Sequence, residues 1–458
     1  MKQRIKSGKS IFFILLMTLI LPSAALANID NLTNMSAEWM RTSNRNAATD
    51  ATDIVVYNPA GLVKLSDGFH INLSNQTMDR GPKHSFNMGD GKQEYKQDST
   101  DWFIPNFYAA YKKDNWAVFG GVYIPGGGAV ADYPNGSIST VLMGSQMIQR
   151  GYGEVAGLEA AGMVPAGTSQ MPGLFSYDGD SLEASSLYLT TTLGGAYAVN
   201  DKLSFAFGLR YISAKNTTEA GLTFTSALEG TETEYKMDTE DTADGFGAVF
   251  GVNYAPADKW NIGMHYESKV KLDFETEQNR DDFGISKDGE KNRRDFPGMV
   301  GLGAAYDVRP DLTLEFDFNW WFQKSADWGS DTLGRDYSDM AGDCYSIGTA
   351  AIYKANPKLT VSGGILFTKF LFDDMDAYYT NMGAYEVLYS DNWNISGGCG
   401  YEVIDGLKLN LGIGVTLWSD ESMKALAAQP MDLSVDTENS TWTVSVGFDW
   451  NFGGPKKK

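Results

Sequence analysis

Apolar and polar residues alternate strictly along several segments of this chain. In residues 312–320 every even position is apolar and every odd position is polar, and residues 407–417 show the same period of two. Residues 260–274 also follow it, with only Ser268 out of step. Successive side chains of a strand point to opposite faces of its sheet, so each segment predicts a strand with one apolar and one polar face.

Strand signals recur about fourteen times in the chain, and short and long connections alternate between them. The predicted strands are residues 68–79, 101–113, 116–125, 182–199, 203–224, 242–254, 260–274, 296–308, 312–322, 344–353, 359–368, 392–401, 407–417 and 440–452. An even number of antiparallel strands can close into a barrel. Short turns at one end and long loops at the other are typical of outer-membrane barrels.

The N-terminus indicates which solvent the apolar faces meet. A basic head, an apolar stretch over residues 11–21 and the sequence Ala25-Leu26-Ala27 predict a secretory signal peptide over residues 1–27. Lipid offers no hydrogen-bond partner to the edge of a sheet, so a sheet that crosses a bilayer must close. We therefore predict an all-β fold, a closed antiparallel transmembrane β-barrel of about 14 strands in the outer membrane of a Gram-negative bacterium.

The pattern also predicts how the chain is divided. Residues 28–66 lack alternation and are expected to form an N-terminal hatch, or plug, in the lumen of a barrel over residues 67–452. Residues 453–458 are a basic tail. The longest insertion, residues 126–181, carries unusually many apolar side chains for an exposed loop.

That insertion leaves two interpretations open. It either packs on itself to cap the barrel, or it forms a landing site for hydrophobic ligands, to which methionine adapts well. The candidate ligand-binding residues in it are Met143, Met147, Ile148 and Phe175.

Composition excludes several classes of function. The chain has 37 basic and 58 acidic residues, and its net charge of −21 argues against a nucleic-acid partner.

Cys344 and Cys399 fall on next-but-one strands, too far apart for a disulfide. The histidines His70, His84 and His265 show no ligand spacing, so neither a metal nor a cofactor is predicted. No G-x-S-x-G nucleophile motif occurs, and nothing else indicates an enzyme.

If the apolar faces meet lipid, the polar faces meet the lumen. Among these, Arg210, Lys269 and Lys271 are basic residues suited to binding a ligand. The other predicted lumen residues are His265, Glu315, Asp317, Asn319, Lys408 and Asn410. Each is interpreted either as a solvated lumen residue or as a contact to a transported molecule.

Specific motifs then match a known family. Residues 45–53, followed by Tyr57-Asn58-Pro59-Ala60-Gly61-Leu62, resemble the hatch of the FadL family of outer-membrane long-chain fatty-acid and hydrocarbon transporters. The hatch motif itself is Asn58, Pro59 and Ala60. Residues 120–133 are similar to the end of that family's third strand, and residues 296–306 give a further match.

The resemblance implies a monomer in outer-membrane lipid and lipopolysaccharide. It implies capture of a hydrophobic molecule by the loops, transfer to an inner pocket and release sideways at a kink in the third strand. Pro125 cannot donate to a sheet, and Gly126, Gly127 and Gly128 leave the backbone unrestrained there. The expected function is therefore passive uptake of fatty acids or hydrocarbons. The alternative is a water-filled porin for polar solutes, which would need neither a plug nor an apolar insertion.

Overall fold

The fold is taken from a computed structural model. It describes residues 32–87, 91–383, 385–386, 389–425 and 433–454. The predicted signal peptide, and residues 455–458 of the predicted tail, lie outside the described residues. Across these ranges, every helix is too short or too polar to cross a membrane.

Strands dominate the described residues, which contain 21 strand segments in chain order. They are β1 (Gly68–Arg80), β2 (Lys83–Asn87), β3 (Lys92–Lys96), β4 (Thr100–Lys113), β5 (Trp116–Tyr123), β6 (Gly127–Tyr133), β7 (Phe175–Asn200), β8 (Leu203–Ser226), β9 (Thr231–Tyr254), β10 (Trp260–Glu267), β11 (Asp273–Asp281), β12 (Lys291–Arg293), β13 (Gly298–Arg309), β14 (Leu312–Phe322), β15 (Cys344–Lys354), β16 (Leu359–Phe370), β17 (Asn392–Ile404), β18 (Leu407–Trp418), β19 (Glu421–Lys424), β20 (Ser434–Glu438) and β21 (Ser440–Phe452).

Seventeen of these segments form one antiparallel sheet of 14 barrel strands. The count is smaller because β5 and β6 are two parts of the third strand, β10 and β11 are two parts of the seventh, and β12 only extends a hairpin. The sheet closes where β1 pairs with β21, from Phe69 opposite Phe452 to Arg80 opposite Thr441. The predicted closed barrel is confirmed.

The two faces of the wall are sorted as the alternation predicts. On β14, Leu314 and Phe316 point outward and are 44% and 48% exposed, whereas Glu315 and Asp317 point inward and are buried. Outward apolar side chains meet lipid in a membrane barrel, and inward polar ones meet the lumen. Cys344 and Cys399 are both free, on β15 and β17 with β16 between them, as expected.

The helices are short, except for one. They are α1 (Ala37–Met40), α2 (Ile54–Tyr57), α3 (Ile138–Ala160), α4 (Tyr337–Ala341) and α5 (Met375–Met382), with 3-10 turns at Pro59–Lys64, Thr168–Gln170 and Gln323–Ser325. The first two helices lie in the hatch, and the other three lie in loops between barrel strands.

The hatch, residues 32–66 in the structure, lies inside the barrel. Its apolar side chains, among them Ile54 and Leu62, pack against wall residues such as Tyr108 on β4 and Phe119 on β5. Most hatch residues are buried, including polar ones. The segment therefore fills the lumen.

Glycines in the wall let the hatch backbone lie directly against the strands. A Cβ atom added to Gly364 on β16 would come within 1.7 Å of the Thr42 carbonyl oxygen. One added to Gly263 on β10 would come within 1.8 Å of the Asn46 carbonyl oxygen. No real Cβ contact is that short, so these positions exclude any side chain while the hatch is in place.

A cap covers the outer end of the barrel and is built from several loops. Strands β2, β3, β19 and β20 form a separate four-stranded sheet. This sheet shares an apolar core with α3, α4 and α5, in which Leu142, Met340 and Tyr378 are buried. The cap thus joins segments from five different connections into one unit.

The predicted candidates of the long insertion lie on α3 and at the start of β7. Met143 is buried and Met147 partly buried against the extended ends of β7, β8 and β9. Ile148 is half-buried on the same helix. Phe175 stacks on Phe224, with 5.6 Å between ring centroids. Met143, Met147 and Phe175 therefore pack against neighbouring parts of the protein. Ligand binding by the four candidates stays a prediction.

The first turn of α3 is held by side chains from two other loops. The Ile138 N–H donates to Nε2 of His84 at 3.1 Å, and the N–H and hydroxyl of Ser139 donate to the Glu386 carboxylate, each at 3.0 Å. The His84 ring stacks on Tyr95. Burial lowers the pKa of His84, although the Glu386 carboxylate opposes this. The neutral ring is therefore the form that accepts the helix N–H.

We expect Gly364→Val to displace the hatch. The valine side chain would overlap the Thr42 carbonyl, and overpacking of this kind costs about 1–3 kcal/mol. In planar bilayers the variant should show steady ion conductance that the wild type lacks. Gly363→Val is the matched control, because a Cβ there meets only the Ser396 carbonyl oxygen at 3.4 Å. Equal conductance in the two variants would contradict the hatch contact.

We expect acid to loosen the start of α3. Folding lowers the pKa of His84. The neutral ring therefore stabilises the folded cap fully above the ordinary histidine pKa of about 6.5, and this stabilisation is lost as pH falls through the pKa of the folded state. Amide hydrogen exchange of residues 138–142, corrected for intrinsic rates, should accelerate as pH falls from 7.5 to 5. His84→Gln should remove that pH dependence. An unchanged pH profile in this variant would assign the effect to Glu386 or another group.

Candidate functional site

The hatch motif fixes the plug to the wall. Asn58 donates through its side-chain amide to the Ala48 carbonyl at 3.0 Å and to Asn253 of β9 at 2.8 Å. The next residue, Pro59, opens a 3-10 turn, where a missing N–H costs nothing. The Ala60 carbonyl accepts from the Ser204 hydroxyl of β8 at 2.7 Å. Asn58 and Ala60 thus hydrogen-bond the hatch to the barrel wall, and Pro59 begins the 3-10 turn between the hatch and β1.

A buried ion pair organises the rest of the hatch. Arg45 donates two hydrogen bonds to Asp53, at 3.0 and 2.6 Å, and both side chains are fully buried. Asp317 of β14 accepts the backbone N–H groups of Arg45 and Asn46, at 2.6 and 2.9 Å. This predicted lumen carboxylate therefore fastens the hatch instead of facing an open channel.

The third barrel strand is interrupted where the sequence predicts a kink. β5 ends at Tyr123 and β6 begins at Gly127, where Gly127 and Gly128 have φ values of +67° and +74°. β5 pairs with the neighbouring β4, whereas β6 pairs with β7 on its other side. In the described part of the sheet no backbone ladder joins β6 to β4, so the ladder has a gap between them. Side chains bridge part of it, since Asp101 of β4 accepts the Val130 N–H of β6 at 3.1 Å.

The N-terminal end of the hatch reaches this gap. The Leu32 N–H donates to the Pro125 carbonyl at 2.8 Å, inside the kink. Leu32 also packs against an apolar cluster of Met78, Ile104 and Ile124. The gap is therefore lined by apolar side chains and occupied by the start of the hatch.

The seventh strand is interrupted as well, and here the two faces exchange. Up to Glu267 the odd positions point inward, but beyond Ser268 the even positions Val270, Leu272 and Phe274 are buried. The segment between β10 and β11 turns inward opposite Gly245 and Gly247 of β9, which offer no side chain to obstruct it.

This reversal creates an apolar cluster inside the barrel, which we call the inner cluster. Its members come from four strand segments and two connections and are Tyr188, Ile212, Ala214, Ala243, Val270, Leu272, Phe274 and Phe296. The Tyr188 ring lies 5.6 Å from Phe296 and 6.3 Å from Phe274. The Tyr188 N–H donates to the Gly126 carbonyl at 3.2 Å, so the cluster adjoins the kink of the third strand.

The reversal also corrects the prediction that Lys269 and Lys271 face the lumen. Lys271 is exposed and pairs with Asp273 at 2.7 Å, and Lys269, which is also exposed, pairs with the buried Asp295 at 3.2 Å. The alternation of residues 260–274 continues in the sequence, but the inward turn after Ser268 swaps the faces.

Arg210 is in the lumen, as predicted, but its charge is compensated. It is fully buried, pairs with Glu267 and donates to the Ser268 carbonyl at 2.6 Å. The guanidinium lies 5.5 Å from the centre of the Phe296 ring. Arg210 therefore borders the inner cluster and holds the strand where the reversal begins.

The other predicted lumen residues divide between the hatch and the wall. His265, Glu315, Asn319 and Asn410 are buried inside the barrel. Lys408 also lies on an inward position, half-buried. Among the described residues, no three histidine, cysteine, aspartate or glutamate side chains gather closely enough to hold a metal.

Two residues of the site were missed by sequence reasoning, Arg294 and Tyr378. Both are buried at the boundary between the inner cluster and the cap. Arg294 follows a region without regular alternation, and Tyr378 lies on a loop helix. The period-two pattern therefore gave no signal for either.

Comparison with known proteins supports this geometry. A model of the family described as outer membrane protein transport protein (OMPP1/FadL/TodX) matches residues 176–452. None of the curated protein sequences matches. The solved structures that match include a FadL homologue and two toluene transporters.

Three solved structures illustrate the similarity. A Pseudomonas aeruginosa FadL homologue has a TM-score of 0.63 at 12% identity, covering 93% of this chain and 100% of that one. The P. putida toluene transporter TodX gives 0.59 at 14%, covering 88% and 95%. The Ralstonia pickettii toluene transporter TbuX gives 0.55 at 15%, covering 89% and 96%. At these identities the likeness shows the fold alone.

The family match spans more than half of the chain and includes most of the barrel. It agrees with the closed wall and the outward apolar face, and it places the protein in the outer membrane of Gram-negative bacteria. The resemblance first indicated by the hatch motif is confirmed, and the chain belongs to the outer-membrane transport family of FadL and TodX.

Proposed function

We propose that this protein takes up hydrophobic small molecules passively, from the cap through the inner cluster and out through the gap beside the third strand. The observation that carries this proposal is the hydrogen bond between Tyr188 and Gly126 at 3.2 Å. It puts the inner cluster directly beside the break in the wall.

The chemistry of the route supports an apolar cargo. The inner cluster is built from aliphatic and aromatic side chains. The gap is lined by Met78, Ile104 and Ile124. A hydrophobic molecule on this path reaches lipid without crossing the polar contacts between hatch and wall. Two of the structurally similar proteins are described as toluene transporters, which agrees with such a cargo.

The porin alternative receives less support. A porin keeps a water-filled lumen, whereas here residues 32–66 fill the barrel and bind its wall through Asp317 and Asn253. The hatch would have to leave before polar solutes could pass. A sideways exit requires Leu32 to leave the gap, while the rest of the hatch stays in place.

The expected surroundings follow from the same proposal. The outward apolar band meets outer-membrane lipid, and the acidic extracellular ends of the strands lie at the level of lipopolysaccharide. Because the wall closes on itself from β1 to β21, one chain completes the barrel, and we propose that it acts as a monomer.

We expect Ile104→Trp to block uptake. Ile104 is buried and points into the gap, so a larger side chain there narrows the exit. Phe103→Trp is the matched control, because Phe103 directly precedes Ile104 on β4 but points to the outer side, where it is 83% exposed. The measurement is uptake of radiolabelled toluene and dodecanoate by a strain that lacks its own FadL-type transporters.

Uptake through Ile104→Trp should fall several-fold for whichever cargo the wild type carries, while Phe103→Trp should match the wild type. Heat-modifiable mobility in electrophoresis checks that each barrel is folded. Full uptake through Ile104→Trp would refute the sideways exit. Uptake of neither compound by the wild type, together with high ion conductance, would favour the porin.

A further inference from the structure

Side chains close the upper end of the gap between β4 and β6. Both backbone groups of Val130 on β6 are bound there. The Val130 N–H donates to the Asp101 carboxylate of β4 at 3.1 Å. The Val130 carbonyl accepts from Nε2 of Gln97 at 3.0 Å and from the Ser99 hydroxyl at 2.6 Å. We call Gln97, Ser99 and Asp101, with their contacts to Val130, the clasp.

Asp101 also connects the clasp to the first barrel strand. Its carboxylate pairs with Nε of Arg80 on β1 at 3.7 Å, and both side chains are largely buried. Just above the clasp, the Asp98 N–H donates to the Asp132 carbonyl at 2.9 Å. The Asp98 side chain itself is exposed. Asp98 therefore holds β6 through its backbone, whereas Asp101 holds it through its side chain.

The lower end of the gap is fixed by a backbone ladder. The pairing of β4 with β5 ends at Phe107 opposite Val122. Directly above this pair, the Ile124 N–H donates to the side-chain oxygen of Asn106 at 3.4 Å. Phe107 and Val122 are 41% and 37% exposed on the outer face, so this end lies in the apolar band. Lipid offers no replacement for a hydrogen bond broken there, so this end stays closed.

The clasp lies higher, where the outer face of the wall becomes polar. Val130 is opposite Ser185 of β7, and Ser185 is opposite Thr217 of β8. Two residues closer to the periplasm on β8, Lys215 pairs with Glu240 at 2.7 Å on the outer face. Charged side chains are unfavourable on the lipid face of a barrel, so the clasp lies at or above the upper edge of the bilayer. Water can therefore replace its hydrogen bonds when it opens.

We propose that the clasp sets the width of the sideways exit and therefore the largest cross-section of a molecule that can leave through it. This inference rests on the proposed function and assigns its size limit to residues outside the inner cluster. A narrow molecule passes once Leu32 has moved aside, whereas a wider one must also break the hydrogen bonds of Val130. Because side chains make the clasp, its loss leaves the ladders of β4 with β1 and of β6 with β7 in place.

The test compares narrow and wide hydrophobic probes. Toluene and dodecanoate are narrow, and phenanthrene, with three fused rings, is wide. Uptake of each radiolabelled probe is measured in a strain that lacks its own FadL-type transporters. Asp101→Ala should raise phenanthrene uptake several-fold, relative to whichever narrow probe the wild type carries, because the Val130 N–H loses its acceptor. Uptake of that narrow probe should stay close to the wild-type rate.

A second measurement follows the clasp without any cargo. Amide hydrogen exchange at Val130, in the full barrel in a neutral sugar detergent, should accelerate about tenfold or more in Asp101→Ala. This is the change expected when an N–H loses a charged hydrogen-bond acceptor. Asp101→Asn should keep both the slow exchange and the wild-type uptake ratio, because its amide oxygen can still accept the Val130 N–H.

Asp98→Ala is the matched control. It removes an exposed carboxylate three positions before Asp101 and keeps the backbone bond to Asp132, so it should change neither measurement. Heat-modifiable mobility confirms that each variant is folded. The double variant Gln97→Ala with Ser99→Ala removes the donors to the Val130 carbonyl and should also raise phenanthrene uptake. It decides the matter if Asp101→Ala does not fold.

Several results would overturn the inference. It fails if exchange at Val130 accelerates in Asp101→Ala but the uptake ratio stays at the wild-type value, and the proposed function then still stands. It also fails if Asp98→Ala raises phenanthrene uptake equally. If Asp101→Asn behaves like Asp101→Ala, the ion pair with Arg80 sets the width and not the bond to Val130. If the wild type takes up neither narrow probe, the proposed function fails and this inference fails with it.

Discussion

The inability of lipid to hydrogen-bond with a peptide group governs this structure. A strand in the bilayer must find partners for its N–H and C=O groups within the protein, which is why β1 meets β21 and the sheet has no free edge. Breaks in the ladder are therefore costly, and the breaks in the third and seventh barrel strands are both compensated. Leu32 donates to Pro125 at the first break, and the Ser268 hydroxyl accepts the Ala248 N–H at 2.8 Å at the second.

Closing the sheet creates a second requirement, because a barrel of this size encloses a lumen that must hold either water or protein. The hatch fills it with buried polar groups, and these are stable only when paired. Asp317 accepts two backbone N–H groups, and Arg45 and Asp53 neutralise each other. The hatch is thus held by directional polar contacts as well as by apolar packing against the wall.

Much of the wall could be predicted from the sequence, since alternation is a local property that each strand carries by itself. The same reasoning failed at residues 269–274. There the period of two continues, but an inward turn after Ser268 exchanges the faces, and only the glycines of the neighbouring strand permit it. Which face of a strand points into the barrel depends on the neighbouring strands, so alternation alone cannot predict that face.

The contacts of the cap were beyond sequence reasoning for a related reason. His84 and Ile138 lie 54 positions apart, and Glu386 is 247 positions from Ser139. Contacts of this separation leave no periodic trace in the chain. Gly363 and Gly364 likewise look identical in sequence, although a side chain is excluded only at the second, which faces the hatch.

The reversal in the seventh strand also indicates at which depth of the bilayer the proposed route leaves the barrel. It moves Val270, Leu272 and Phe274 from the outer face to the inner one and leaves Lys271 and Asp273 pointing outward. A charged pair on the outer face is unfavourable within hydrocarbon, so this level lies at or above the upper edge of the bilayer. Tyr188 ties the kink of the third strand to the same level, and the adjacent Leu187 and Leu189 are exposed on the outer face. On the proposed route the gap opens where the apolar band begins, and a molecule that leaves through it enters the outer leaflet once Leu32 has moved aside, without crossing the rest of the hatch.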